Sequence, residues 1–389
     1  MMEYLYIILG FINYVIWGFM AIVVLYLLFF AIASQLRYKK LTLPTDKQAR
    51  IAIIYPVYKE GAIVLQSLQS LLHQTYPRDL YRIVVVADWL SEADLTKLRK
   101  LPIELLEVQF QESSKAKALK HAMAHIGKES VDLVTILDVD NDVEVDFLEK
   151  INQAFQSGAN AIQAHRKAKN SDTPTAVLDA LSEEINNSIF RKGHVKAGLS
   201  AALIGSGIAF EAQWFSESVK KLTRVGEDKE LEIMLHEQNI FIHYLDDVPV
   251  YDHKTSTKAA FYNQRRRWMA AQVEMLTHGI AEAYKDKNVM NKDYFDKLFQ
   301  WAMPPRSIAI GFTFFMSIAM SFVSLSLAMQ WWIIGGLYLL SILIAIPRKM
   351  YNTDLLRAAL HVPILVLLMF FNILRIKGGT TEFIHTSHE

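Results

Sequence analysis

The chain has 389 residues, 52% apolar and 21% charged, with a formal net charge of +1 and no cysteine. That length suits one large or two ordinary domains. The near-neutral balance, with no basic patch interleaved with aromatics, argues against nucleic acid as a partner, and the missing cysteines exclude disulfides, thiolate metal sites and a cysteine nucleophile.

Tyr4 to Leu36 is a run of 33 residues without Asp, Glu, Lys or Arg. At about 1.5 Å per residue it exceeds a bilayer core of about 30 Å, so residues 1–37 are expected to form one transmembrane helix. A cleaved signal peptide fits poorly, because the run is long and Arg37, Lys39 and Lys40 follow it rather than precede it. Those cations, against Glu3 alone before the span, place the hydrophilic block in the cytoplasm.

The block from 38 to 285 alternates strand and helix patterns. Ile51–Tyr55, Arg82–Ala87, Ile103–Gln109 and Val131–Leu137 read as strands. Between them Ala62–His73, Ser91–Lys100 and Lys115–Ile126 read as helices. This alternation predicts an α/β fold with a parallel sheet covered on both faces. Ligands of such sheets bind beyond the carboxyl ends of the strands. Neither a GxGxxG nor a GxxxxGKS is present, so the dinucleotide fingerprint and the phosphate loop of nucleotide hydrolases have no support.

Residues 286–306 read as an interfacial connector. Ser307–Pro347 is an uncharged run of 41 residues, long enough for two passes that turn near Gln330–Trp331–Trp332. Ala358–Leu374 offers a third, so 307–376 holds two or three spans and 377–389 is a tail. Arg348, Lys349 and Arg357 belong inside, and so do Arg375 and Lys377. A full further span would put Arg375 and Lys377 outside, so either the rule fails there or one late segment is re-entrant or interfacial.

Several side chains carry chemistry. Asp138 and Asp140 follow the strand VTIL, and two carboxylates two apart on a turn can share Mg2+ or Mn2+. Asp138, Asp140, Asp142 and Glu149 mimic a calcium loop, but Val143 stands where that loop needs glycine. His121 and His125 have a zinc-chelating spacing on a helix without a third ligand, which reads as surface or packing. Glu227 and Asp228 open a helix after Gly226. Gln264-Arg265-Arg266-Arg267-Trp268 combines three cations with an aromatic ring, suiting either a basic interfacial helix or a diphosphate clamp beside a sugar platform.

In that order these residues resemble family 2 of the glycosyltransferases, with the GT-A fold. The membrane-embedded branch of cellulose, chitin and hyaluronan synthases and ceramide glucosyltransferase is the most similar. Pro56-Val57-Tyr58-Lys59-Glu60 resembles the PxYNE start. Asp88 with Ser91 resembles the strand-ending Asp that holds uridine, and Ser114 to Lys120 resembles GKAxALN. Asp138 and Asp140 match DxD, Gly205-Ser206-Gly207 resembles the acceptor strand, Glu227-Asp228 matches the ED pair, and Gln264, Arg267 and Trp268 match QxxRW. Trp89 stands where a second Asp is frequent, and Phe383-Ile384-His385-Thr386 is a loose echo of the synthases' late motif.

The resemblance implies a multi-pass membrane enzyme transferring a sugar, with inversion, from a nucleotide-sugar donor, a UDP-sugar, to a polysaccharide or lipid-linked acceptor at the cytoplasmic side of the lipid bilayer. It assigns Asp228 as base beside Glu227, and Pro56, Tyr58, Glu60, Asp88, Lys115, Asp138 and Arg267 to the donor, Arg267 alone or with Arg265 or Arg266 holding the diphosphate. Gly205, Ser206, Gly207, Gln264 and Trp268 fall to the acceptor, and Asp138 and Asp140 to the metal. A catalytically dead scaffold would lack Asp228 or the DxD pair, and both are present.

Overall fold

The computed structural model describes residues 2–37, 40–224, 226–255 and 258–362. Its strands are β1 (Ile51–Tyr58), β2 (Tyr81–Asp88), β3 (Glu104–Val108), β4 (Leu133–Ile136), β5 (Asp142–Val143), β6 (Ala161–Ala168), β7 (Ile208–Glu211) and β8 (Ile242–Asp252). The helices up to β7 are α1 (Met2–Ala33), α2 (Gly61–Leu72), α3 (Glu92–Leu98), α4 (Lys115–Ile126), α5 (Phe147–Gln156), α6 (Pro174–Asn186) and α7 (His194–Lys196). A π-helical segment, Asn187–Gly193, joins α6 to α7. After β7 come α8 (Ala212–Ser218), α9 (Glu227–Glu237), α10 (Lys258–Lys285), α11 (Lys292–Ala302), α12 (Arg306–Ser321), α13 (Leu325–Ala345) and α14 (Thr353–Ala359).

One sheet runs β3-β2-β1-β4-β7-β6-β8-β5. The first four strands in that order are parallel, as the sequence predicts. Strand β7 then runs antiparallel to both β4 and β6, so the sheet as a whole is mixed. Strand β1 lies inside the sheet because both its faces are apolar. Ile51, Ile53 and Tyr55 face a core that includes Val64 and Leu68 of α2 and Phe147 and Ile151 of α5. Ala52 and Ile54 face the opposite core, with Leu119 and Met123 of α4 and Leu231 and Leu235 of α9. Burying a Leu or Phe in this way contributes roughly 1.5–3 kcal/mol each. Register sets Tyr58 beside Asp88 and Ile54 beside Ile136, so the polar residues that follow β1, β2 and β4 emerge at one edge.

Local signals fix the helix starts. The Ser91 side chain accepts the Asp94 N–H at the head of α3, and Ser114 accepts that of Lys117 at the head of α4. Each satisfies an otherwise orphaned donor, an effect of about 1 kcal/mol. Gly127, at φ +73°, ends α4.

Helix α13 packs against both α1 and α12, and α1 packs against the π-helical segment, within one apolar cluster. Among the described residues α1 and α13 are long and apolar enough to cross a membrane, while α12 is shorter. The turn within 307–347 lies at Phe322–Ser324, not at Gln330–Trp332 as expected from the sequence. Trp331 is fully buried instead, its indole Nε1 donating to Asn13 Oδ1 of α1 at 3.0 Å. An intramolecular partner, not interfacial water, satisfies its indole N–H. The third candidate span and the Phe383–Thr386 echo fall mostly or wholly outside the described residues.

The junction between α1 and the α/β domain is tight and polar. A Cβ on Gly193 would lie 2.3 Å from the Phe30 carbonyl oxygen, so only glycine permits this crossing. His194 stacks on Phe30 at 3.7 Å. Tyr26 Oη donates to Asp296 of α11 at 2.6 Å and meets His194 Nε2 at 2.7 Å.

Candidate active site

Lys115 is the first residue of α4, and its ammonium is the hub of the site. Its Nζ lies 2.5 Å from Asp138 Oδ1, 2.6 Å from the Gly205 carbonyl oxygen and 3.5 Å from Glu227 Oε1. Burial pulls the Lys115 ammonium down, but Asp138, Glu227 and Asp228 outweigh it and hold its pKa above the usual value. The N–H of the same residue, Gly205, donates to Asp228 Oδ2 at 3.1 Å. The two peptide groups that flank the Gly205 Cα therefore tie the lysine to the second acidic residue of the pair.

Gly226 stands in front of that pair with φ +103°, a left-handed conformation that glycine adopts without strain. It lets the chain turn sharply into α9, so that Glu227 and Asp228 occupy the first helical turn. Neighbours separate the two carboxyls. Burial pushes both up. For Glu227 the pull of Lys115 is opposed by Asp228 and Asp138, and its pKa ends raised. For Asp228 the charge of Lys229, the Gly205 N–H and Lys115 win, and its pKa ends lowered. Asp228 is thus the member held ionised.

Arg267 of α10 completes the cluster. Burial lowers its pKa, and the opposing pull comes from Glu227, Asp138 and Asp228, which places its charge among those three carboxylates. Gln264, one turn earlier, keeps a buried Oε1 without a hydrogen-bond partner among the described residues.

Other sequence-predicted residues lie around this centre. Pro56 and Tyr58 end β1, and Glu60 stands just before α2. Asp88 ends β2 and is buried, with Oδ1 accepting the Phe110 N–H at 3.1 Å. Trp89, at φ +55°, donates its indole N–H to the Phe110 carbonyl at 2.9 Å and remains half-exposed. The Gly205–Gly207 triplet divides its work. Only Gly205 meets the charged cluster. Ser206 is fully buried with no partner for its hydroxyl among the described residues, and Gly207 spends its peptide groups on Ile136 and Ala164 in the sheet.

Arg265 does not join Arg267. Its Nη2 donates to Asp179 Oδ1 at 2.6 Å, and its guanidinium stacks on Trp268 at 4.6 Å. Two residues along a helix turn the side chain by about 200°, so the two arginines face opposite ways. Trp268 accordingly has one face covered.

Asp138 and Asp140 offer hard oxygens, one at the cluster and one behind it. Asp138 is a third exposed, whereas buried Asp140 accepts the His253 N–H at 2.9 Å and a contact from Asn141 Nδ2 at 3.2 Å. Among the described residues no three His, Asp or Glu side chains converge on a common metal position. Two carboxylates are nevertheless a fitting set for a hard cation that takes its remaining ligands from phosphate and water, and Asp138, Glu227 and Asp228 supply negative charge for it. The calcium-loop pattern does not close, since Asp142 pairs with Lys169 at 2.6 Å. His125 pairs with Glu104 at 2.8 Å and His121 lies on the surface.

Sequence reasoning missed a second charged cluster beside the first. Arg166, Glu183, Arg191, Asp252 and Lys254 come from β6, α6, the π-helical segment and the end of β8. It also missed Glu232, which accepts the Leu203 N–H at 2.8 Å and pairs with Lys297 of α11 at 2.7 Å. Glu232 thereby fixes the backbone two residues before Gly205. None of these groups forms a local motif, so no spacing could have announced them.

A family model described as glycosyltransferase-like family 2 matches residues 49–271. No curated protein matches the chain by sequence. Among solved structures, the mannosyltransferase PcManGT from Pyrobaculum calidifontis, in complex with GDP-Man and Mn2+, is similar with 17% identity and a TM-score of 0.58. That alignment covers 88% of this chain and 98% of the other. S. aureus TarS, residues 1–349, aligns with 14% identity and a TM-score of 0.43 over 83% and 89% of the two chains.

Proposed function

Since the chain belongs to glycosyltransferase-like family 2 and is a glycosyltransferase of the α/β, Rossmann-like GT-A fold, we propose that it transfers one sugar, with inversion, from a nucleoside-diphosphate sugar to an acceptor hydroxyl at the cytoplasmic face of a membrane. The observation that carries this reading is the meeting of Lys115, Asp138, Gly205, Glu227 and Asp228 at one edge of the sheet.

Asp228, held ionised, takes the proton from the acceptor hydroxyl as that oxygen attacks the anomeric carbon. Attack opposite the leaving diphosphate in one displacement inverts the centre, so an α-linked donor gives a β-glycoside. Glu227 keeps Lys115 in place and shares its charge. Lys115 and Arg267 hold the diphosphate, and their charges stabilise the negative charge that develops as it leaves. Asp138 and Asp140 would hold a divalent cation, Mg2+ or Mn2+, which supplies Lewis-acid neutralisation of the diphosphate when bound. Asp88 and Tyr58, at the ends of adjacent strands, lie on the side proposed for the nucleoside. The face of Trp268 not covered by Arg265 is assigned to the acceptor.

Two helices with membrane-spanning length among the described residues and the cations Arg37, Lys39 and Lys40 support a membrane protein with its α/β domain inside. The acceptor is a lipid-linked or polysaccharide hydroxyl. The QxxRW match of Gln264, Arg267 and Trp268 favours the polysaccharide, while the small number of spans and the weak Phe383–Thr386 echo favour the lipid-linked form, two long apolar helices being present among the described residues. A UDP-sugar is the donor suggested by Asp88, while the related fold of PcManGT was solved with GDP-Man.

The test is to incubate membranes containing the protein with radiolabelled UDP- and GDP-sugars, with and without excess chelator. Label from one donor should enter a lipid-soluble product and disappear on chelation. No transfer from any donor would defeat the proposal, and full activity in chelator would remove Asp138 and Asp140 from it.

A further inference from the structure

Arg306 opens α12, Arg265 lies on α10, and both guanidinium groups reach one side chain of α6. Arg306 Nη2 donates to Ser182 Oγ and to the Ser182 carbonyl, each at 2.9 Å. Arg265 Nη2 lies 3.4 Å from the same hydroxyl. Two cations thus approach one neutral acceptor. The carboxylate present, Asp179, pairs with Arg265 and also receives Thr255 Oγ1 at 3.3 Å. Arg306 forms no ion pair among the described residues.

Their remaining donors are left over. Arg306 Nη1 and Arg265 Nε are buried, and neither has a hydrogen-bond partner among the described residues. Leaving such a buried donor unmade costs about 1–3 kcal/mol, more for a charged group. Two guanidinium groups that share one hydroxyl, each with a buried donor to spare and only Arg265 in an ion pair among the described residues, suit an anion with several acceptor oxygens. Phosphate matches the guanidinium fork in both charge and geometry.

The surroundings identify what carries the phosphate. Leu178, Phe261, Met269 and Ala358 form an apolar cluster here, with Ile308 and Val362 against it. Arg265 itself lies over the rings of Phe261 and Trp268. Arg306 is also the last charged residue before 41 uncharged ones. A charged pair at that boundary lies where lipid phosphates concentrate.

We propose that Arg265, Arg306 and Ser182 form a seat for the phosphate of a lipid, distinct from the diphosphate position at Lys115 and Arg267. A bound lipid phosphate there ties α10 to the membrane surface, and α10 carries both Arg267 and Trp268. This inference rests on the reading that α12 and α13 enter a membrane.

The experiment titrates purified full-length protein in neutral detergent with dihexanoyl phosphatidic acid, with inorganic phosphate, and with dihexanoylglycerol. Wild-type protein should bind the phosphatidic acid saturably and the other two far more weakly. Arg306→Gln, which keeps a side chain able to reach Ser182, should weaken phosphatidic acid binding by about tenfold or more. The thermal midpoint of each sample checks folding. If that variant does not fold, Arg306→Lys keeps the charge but not the fork and should bind measurably more weakly than wild type. Unchanged affinity in a folded variant, or inorganic phosphate binding as tightly as the lipid, would overturn the proposal. Absence of sugar transfer by wild-type protein would defeat the transferase mechanism instead and leave these binding curves as they are.

Discussion

Glu183 and Glu227 are both buried carboxylates in the same domain, and their surroundings treat them in opposite ways. Glu183 lies 2.9 Å from Arg191 and 3.8 Å from Lys254. Burial pushes it up, but Lys254, Arg191 and Arg166 together pull it well below the usual carboxylate range. Glu227 has Lys115 at 3.5 Å, shared with Asp138 at 2.5 Å, and its pKa is raised. The first cluster sets three cations, Arg166, Arg191 and Lys254, against Glu183 and Asp252. The second sets Lys115 and Arg267 against Asp138, Glu227 and Asp228. Ion pairs that close on each other hold β6, β8 and α6 together. A cluster with surplus carboxylate, one member a third exposed, keeps electrostatic demand for a ligand.

The largest effect on stability should come from Glu183→Gln. Removing one partner of a buried pair leaves uncompensated charge and costs about 3–5 kcal/mol. Because the folded pKa of Glu183 is depressed, its stabilisation is present above the unfolded carboxylate pKa and lost as pH falls through the folded one. Denaturant titrations should therefore show the variant much weaker at neutral pH, with the gap narrowing in acid. An equal gap at all pH values would mean that the cluster acts by packing alone.

Trp268→Ala should cost less. An aromatic platform contributes about 0.5–1.5 kcal/mol beyond its area, so the acceptor KM should rise by about two- to tenfold. Donor affinity should persist, and Trp268→Phe should recover part of the loss. Arg265 already covers one ring face, so an alternative reading makes this ring a packing element. Unchanged KM with a lowered thermal midpoint would favour that reading.

Glu227→Gln sharpens the contrast, with the smallest expected change in stability. A raised folded pKa means that the ionised Glu227 is disfavoured in the fold above the unfolded pKa, and that this penalty vanishes in acid. The variant should melt slightly higher than wild type at neutral pH while transferring sugar more slowly. Lower stability at neutral pH would show that Glu227 belongs with Glu183 as a structural group.

Much of the first half of the domain was legible in the sequence. The runs of β1, β2 and β4 are short, branched and apolar on both faces, and the serine before α4 marks its start. Asp88 and Asp138 stand out because they end or follow such runs. The second half was less so. Strand β7 is only four residues long and reverses direction, which depends on its neighbours rather than on its own pattern. Glu183, Arg191, Asp252 and Lys254 come together from distant segments, and nothing local distinguishes them from solvated charges. The turn at Phe322–Ser324 was missed because the polar edge of Trp331 is satisfied by Asn13, more than 300 residues away. The separation of Arg265 from Arg267 was legible in principle, since helical periodicity alone puts them on opposite faces.

In the proposed mechanism Asp228, linked to Lys115 through the N–H and carbonyl of Gly205, acts on the acceptor and not on the donor. Asp228→Asn preserves the shape of the side chain and removes the base. Nucleotide-sugar affinity and turnover, measured on one purified sample with the donor that the wild type uses, test the claim directly. Affinity should stay close to wild type and turnover should fall by about 10²–10⁴-fold. Turnover within a few-fold of wild type, or affinity falling in step with turnover, would contradict it.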